Sequence, residues 1–285
     1  MKITTECIPC FVKQAFEAAQ SAGLDAEATE AMVKKTLRHI AEIDWKQSPP
    51  LMGRDIQNML KQATGLKDPY ATRKKQQIDT ALALLPEMEK RVATADDPFV
   101  EAVRFSIAGN AIDLGALSTV SADANVAFHT ALTHPLPMAE IAHLKADIEK
   151  AQRVLFLTDN CGEVIFDRPL MNLIGASRLT VGMRGMPVIN DATIADADLC
   201  GFPDDYLIIS NGSDIPGTWL PECDATFADV FHAADVVIAK GQGNYETLSD
   251  AKRSIYFLLL VKCPAIARDT GCEPGTYFIK RAGMQ

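Results

Sequence analysis

Apolar positions along this 285-residue chain keep two different periods. Up to residue 95 they recur three and four apart, the spacing of one buried stripe on a helix. Phe11, Ala15 and Ala19 mark such a face after the opening Cys7-Ile8-Pro9-Cys10, and Gly23 is placed to stop it. Asp25 can cap a second helix, with Met32, Val33, Leu37, Ile40 and Ala41 as its stripe. Ser48-Pro49-Pro50 breaks the chain, and Ile56, Met59, Leu60 and Ala63 describe a third helix ended by Gly65. Asp68-Pro69 opens a fourth, with Ile78, Leu82 and Leu85 at core spacing and a bend predicted at Pro86. Nothing here reads as a strand, so residues 1–97 are predicted to be an all-helical domain.

Asp97-Pro98 restarts the chain with Phe99, Val103 and Ile107 on one face. From Arg153 onward the period shortens. Strand-like apolar runs recur at 154–157, 179–181, 206–209, 236–239 and 256–261, with 277–279 as a candidate edge strand. Helix-compatible segments separate several of them. This alternation predicts an α/β fold over residues 98–285, a three-layer α/β/α unit with a mostly parallel sheet.

Composition narrows the functional classes. Hydrophobic residues make up 48% and charged residues 23%, as in ordinary globular proteins. A net charge of −9 without a basic block argues against nucleic acid as a partner. The start of the chain lacks an apolar signal region, and the run 255–261 is too short to span a bilayer, so no membrane partner is expected. Seven cysteines, an odd number spread over a long chain, argue against a secreted disulfide framework and for a reducing cytoplasm. The oligomeric state stays open.

Candidate chemistry gathers at the ends of the strands. Thr158-Asp159-Asn160-Cys161-Gly162-Glu163 lies between the first strand and a helix, which in open α/β sheets is where ligands bind. Two adjacent oxygen-bearing side chains suit a hard cation; a helix cap would explain only one of them. Asp191, in Asn190-Asp191-Ala192-Thr193, follows a short apolar pair. The loops holding Asn211-Gly212-Ser213 and Lys240-Gly241-Gln242-Gly243 offer backbone N–H groups and one lysine, the makings of an anion cradle. Carboxylates beside an anion cradle call for a cation between them, as in phosphate chemistry with a divalent ion. Gly241 and Gly243 lack the third glycine of a dinucleotide fingerprint, and no Walker A pattern occurs. Read alone, Lys240 could be a surface lysine.

Two further groups are less specific. Asn110 and Asp113 stand between glycines in apolar company, where a polar residue needs a partner or a function, although each could satisfy nearby backbone. Cys7 and Cys10 form a CxxC pair without a second pair or a βαβ context, so a structural role as buried small hydrophobes is favoured over a metal or redox site. His129, His134 and His143 lack metal-ligand spacing.

Taken together, Asp159-Asn160-Cys161-Gly162-Glu163, Gly185-Met186-Pro187 with Asn190-Asp191-Ala192-Thr193, and Lys240-Gly241-Gln242-Gly243-Asn244-Tyr245-Glu246 resemble the metal-dependent damage-control phosphatases. Gly109-Asn110 with Asp113, Asn211-Gly212-Ser213-Asp214 and Lys262-Cys263-Pro264 also fit, so the resemblance spans nearly the whole chain. The CxxC looks like the compact microbial branch; Cys272 departs from the small aliphatic residue expected there. The resemblance implies a helical part on an α/β/α core. It also implies hydrolysis of small phosphomonoesters, such as sugar phosphates, damaged phosphometabolites or nucleotides, with manganese, nickel, cobalt or magnesium. Asp159, Asn160 and Asp191 would then be metal ligands and Lys240 a phosphate contact. Asp159, Glu163 and Lys240 are the candidate catalytic residues, with Asn110, Asp113, Asn211, Gly212, Ser213, Gly241 and Gly243 as substrate contacts. A methyltransferase using S-adenosylmethionine is the alternative enzyme, although a lysine would repel a sulfonium. A non-catalytic metal- or nucleotide-binding regulator is the third class.

Overall fold

A strand covered on both faces must be apolar throughout, and the most apolar runs of the chain become the centre of the sheet. β1 (Val154–Leu157) and β4 (Val236–Lys240) are buried at every residue. β2 (Leu179–Met183), β3 (Leu207–Ser210), β5 (Ile255–Leu260) and β6 (Tyr277–Ala282) complete six strands in the order β3-β2-β1-β4-β5-β6. The protein is seen here as a computed structural model, which describes residues 1–110 and 124–282. β1 to β5 pair in parallel and β6 closes the edge antiparallel to β5, with Leu258 opposite Ile279. The α/β reading therefore holds, edge strand included.

Alternation along β1 sorts its residues between two cores. Phe156 faces the larger one, with Val181, Ile238 and Leu258. That core is covered by α4 (Ala71–Thr94), α5 (Pro98–Gly109), α6 (Ala124–Ala131), α7 (Met138–Lys150) and α8 (Cys161–Ile174). Leu155 and Leu157 face the other, with Val237, Ala239 and Phe257. There the cover is α9 (Ala225–Ala233), α10 (Gly241–Leu248) and α11 (Pro264–Thr270).

The first three helices, α1 (Cys7–Ser21), α2 (Ala26–Glu42) and α3 (Pro49–Thr64), share a third core around Phe11, Met52, Ile56 and Leu60. Their ends are built as the sequence predicts: Asp25 accepts from the Ala28 N–H at 2.8 Å, and Gly65 ends α3 at φ 71°. α4 differs, because it continues through Pro86 to Thr94 and turns Ile78, Ala81, Leu85 and Met88 into the larger core. The small helical core is tied to the sheet by Ser48, whose hydroxyl donates to the Glu246 carbonyl at 2.9 Å. Among the described residues no helix is long and apolar enough to cross a membrane.

Candidate active site

The chain leaves β1 for β2 on one side, while β4 stands on the other, so the sheet reverses its winding between β1 and β4. Open α/β sheets bind ligands in the crevice at such a point. Asp159 follows β1 and Gly241 follows β4, so the two meet. Gly241 has φ 75°, and a Cβ placed on it would lie 1.9 Å from Asp159 Oδ2. Only glycine leaves the carboxylate room there. Asn244 fixes the start of α10 against β1, donating to the Thr158 and Lys240 carbonyls at 3.0 and 2.7 Å.

Asp191 is brought to the same spot by backbone pairing. Ala192 N–H donates to Asp159 O at 2.7 Å, and Cys161 N–H donates to Asn190 O at 2.9 Å. The loop that presents Asp191 is strained: Ile189 adopts φ 45°, a conformation costly for a β-branched residue, by about 1–3 kcal/mol. Lys61 of α3 braces it, donating to Pro187 O at 2.6 Å. Arg184, at the end of β2, is buried between the two carboxylates. Its Nε donates to Asp191 Oδ2 at 2.8 Å, and its Nη2 stands 4.0 Å from Asp159 Oδ1 without a hydrogen bond. Sequence reasoning passed over Arg184, although a cation directly after a buried strand is the same signal that marks Asp159.

Asn110 ends α5 at this rim. Gly109 lets α5 approach α8, since a Cβ there would lie 2.7 Å from Phe166 Cβ. Asn110 Nδ2 consequently reaches Asp159 Oδ2 at 3.1 Å and Glu163 Oε2 at 2.9 Å, while its Oδ1 accepts from Leu260 N–H at 3.1 Å. The Asn110 side chain thus ties the end of α5 to α8 and β5.

Lys240 requires a correction. The sequence placed its ammonium over the site as a phosphate contact, but the side chain is 0% exposed and turns inward. Its Nζ donates to Ser106 O, Glu163 Oε1 and Asp167 Oδ1, each at 2.6 Å. An ammonium has three donors, and all three are spent. Burial alone would lower its pKa, but the Asp167 and Glu163 carboxylates outweigh that and raise it. One cation serves two carboxylates, and burial pushes the Asp167 carboxyl up despite the lysine. Glu163 is likewise 0% exposed, so it orients Asn110 and Asn160 from beneath. Asp167, missed in the sequence, lies four residues on from Glu163 on the same helix face.

The rim opens into a cleft of about 190 Å³. Asn110, Asp159, Asn160, Asp191 and Gly243 line it, together with Lys262. Asn211, Gly212 and Ser213 do not. Their loop uses its own groups: Asn211 Oδ1 accepts from the Gly185 and Ser213 N–H groups, and Ser210 Oγ accepts from Gly212 N–H. The backbone N–H groups of the predicted anion cradle are spent within the protein, and Asn211 Nδ2 is left without a hydrogen bond among the described residues. Asp113 falls outside the described residues. Cys7 and Cys10, read as a structural pair, line the cleft from α1, together with Cys263 and Glu246. Burial raises the Cys10 thiol to about 12 and the Cys263 thiol to about 11, so neither is a thiolate nucleophile at neutral pH.

Among the described residues no three His, Cys, Asp or Glu side chains form a ready metal cage. The rim instead offers two carboxylates and one amide, Asp159, Asp191 and Asn160, all oxygen donors opening on the cleft. That chemistry fits a hard divalent ion completed by water and substrate oxygens.

Comparison with known proteins places the whole chain in one family. Residues 3–277 match the sequence profile of the damage-control phosphatase ARMT1-like domain. A damage-control phosphatase of Archaeoglobus fulgidus is 32% identical over 98% of this chain and 99% of its own length. One from Pyrococcus horikoshii is 32% identical over 99% of this chain and 98% of its own. A crystal structure of a DUF89 family protein from Pyrococcus horikoshii superposes with a TM-score of 0.87 at 28% identity, covering 99% of both chains.

Proposed function

The chain belongs to the damage-control phosphatase ARMT1-like family, and from that premise we propose that it hydrolyses small phosphomonoesters with a divalent ion held by Asp159, Asn160 and Asp191. The observation that carries this reading is the lacing of the 159–161 and 190–192 backbones at the switch point, which turns two carboxylates and an amide into one cleft. Sugar phosphates, damaged phosphometabolites and nucleotides all fall within the substrate class.

When bound, a divalent ion would polarise a phosphoryl oxygen and lower the pKa of a water. The protein's own residues do the rest. Arg184 holds Asp191 by one hydrogen bond and keeps positive charge between the two carboxylates. Asn110 and Asn160 hold Asp159 Oδ2 from two sides, and Glu163 holds both amides. Lys240 fixes Glu163 and Asp167, so its part is positioning. The cation that lines the cleft is Lys262, supplied by the segment between β5 and α11. It takes the role first given to Lys240, a point charge toward the phosphoryl oxygens, with the Gly243 backbone beside it.

Phosphate release from a panel of esters tests the reading, using protein stripped by chelation and then resupplied with magnesium, manganese, cobalt or nickel. Turnover that appears only on resupply supports it. Full turnover in the stripped protein would falsify it.

A further inference from the structure

Four carboxylate side chains line the cleft: Glu6, Asp159, Asp191 and Glu246. Three of them have a cation at ion-pair distance. Arg268 pairs with Glu6, and Arg184 serves Asp191 at 2.8 Å and Asp159 at 4.0 Å. Glu246, half-buried, has no such cation among the described residues, and its carboxylate accepts no hydrogen bond there. The Met1 ammonium is close enough to favour the charged carboxylate, but it makes its hydrogen bonds elsewhere, to the Glu246 carbonyl at 2.8 Å, Ser249 Oγ and Asp250.

The walls around Glu246 cannot supply what it lacks. Cys10 and Cys263 stand close enough for its charge to help raise their pKa values, and thiols are weak donors. Phe11, Pro49 and Pro50 add apolar surface to the cleft. A carboxylate so placed has lost water without gaining a hydrogen bond or a close ion pair, a costly arrangement unless a ligand brings one. It also repels any second anion on the substrate beyond the phosphate.

We propose that Glu246 selects the organic half of the substrate by receiving a protonated amine carried on the group esterified to phosphate. The inference rests on the phosphatase reading and names a substrate class within it: aminated phosphomonoesters ahead of neutral or acidic ones. The thiols and prolines exclude water from the pair, and Glu246 supplies the charge that distinguishes an ammonium from a hydroxyl of the same size.

The test uses matched ω-aminoalkyl and ω-hydroxyalkyl phosphates of increasing chain length, with manganese present. kcat/KM and ligand-induced thermal stabilisation are measured for the full chain and for Glu246→Gln. The amine should be favoured about tenfold or more at one or more lengths, as for other charge-assisted contacts, and the ratio should fall to about one in the variant. Parity at every length in the unaltered protein overturns the proposal, as does a preference that survives in Glu246→Gln. Hydrolysis of p-nitrophenyl phosphate separates the two readings. If that ester is untouched with every divalent ion, the phosphatase reading fails, and the stabilisation ratio still decides on Glu246.

Discussion

Two charged clusters lie one behind the other at the ends of β1 and β4, and they are completed in opposite ways. In the rear cluster Lys240, Glu163 and Asp167 are 0% exposed, and every lysine donor has an acceptor within 2.6 Å. In the front cluster Asp159 and Asp191 open on a cleft, and the Arg184 guanidinium between them keeps a nitrogen without a hydrogen bond. The residue types are nearly the same. A closed cluster joins α5, α8 and β4; an open one keeps its capacity for a ligand. The difference teaches that a lysine at a strand end can be scaffold, while the lysine that lines the cleft, Lys262, follows another strand.

The sharpest way to break this contrast is at Asp191. Asp191→Asn keeps a carbonyl oxygen to accept from Arg184 Nε but removes the charge. Divalent-ion binding, followed by calorimetry, should be lost, and kcat/KM should fall on the order of a thousandfold or more, with the far-ultraviolet spectrum unchanged. Next comes Lys240→Ala, which strands two buried carboxylates. Urea unfolding should report a loss of about 3–5 kcal/mol, the usual cost of breaking a buried pair from one side. Lys240→Met should cost less once Asp167 takes up a proton, its pKa being raised already. Equal stability of the alanine variant and the unaltered protein would place Lys240 in the front cluster after all.

Lys262→Ala addresses the front cluster from the other side. Ion affinity should stay within about threefold, while kcat/KM drops about a hundred- to a thousandfold, as when a charge-stabilising donor is removed. Near-normal turnover would mean that Lys262 does not stabilise the phosphoryl group.

The smallest effect belongs to Glu246. Burial raises its carboxyl from 4.5 to about 7. A pKa raised on folding stabilises below the unfolded value, and that contribution is lost as pH climbs through the folded value. The protein should therefore lose stability between about pH 4.5 and 7 on account of this group. Glu246→Gln should be more stable above pH 7 by about 1–2 kcal/mol, allowing for the carboxyl's partial exposure, and no more stable near pH 4. Denaturant midpoints at the two pH values check it; the same difference at both would remove burial as the cause.

Much of this architecture is legible in the sequence because strand and helix periods depend on local spacing. The run Val154-Leu155-Phe156-Leu157 is apolar at every position, and it becomes a strand covered on both faces. Asp159, Asn160, Asp191 and Asn110 could be found because a polar residue at the end of an apolar element needs a reason to be there. Side-chain direction is another matter. Whether Lys240 points into the cleft or back into the core depends on Glu163 and Asp167, two residues on a helix 77 and 73 positions away. The Asn211–Ser213 loop looks like an anion cradle in one dimension, but in three its backbone N–H groups are already taken. Cys7 and Cys10 read as structural because no second pair stands near them in the sequence, yet the first turn of α1 lines the cleft.

The front and rear clusters can be told apart in one side-by-side measurement: manganese titration and phosphate release on Asp191→Asn and Lys240→Met, prepared identically. The account predicts that Asp191→Asn stays folded but neither binds the ion nor releases phosphate, whereas Lys240→Met binds the ion and keeps measurable turnover at reduced stability. An Asp191→Asn protein that binds and turns over normally, beside a well-folded and ion-loaded but inactive Lys240→Met, would contradict it.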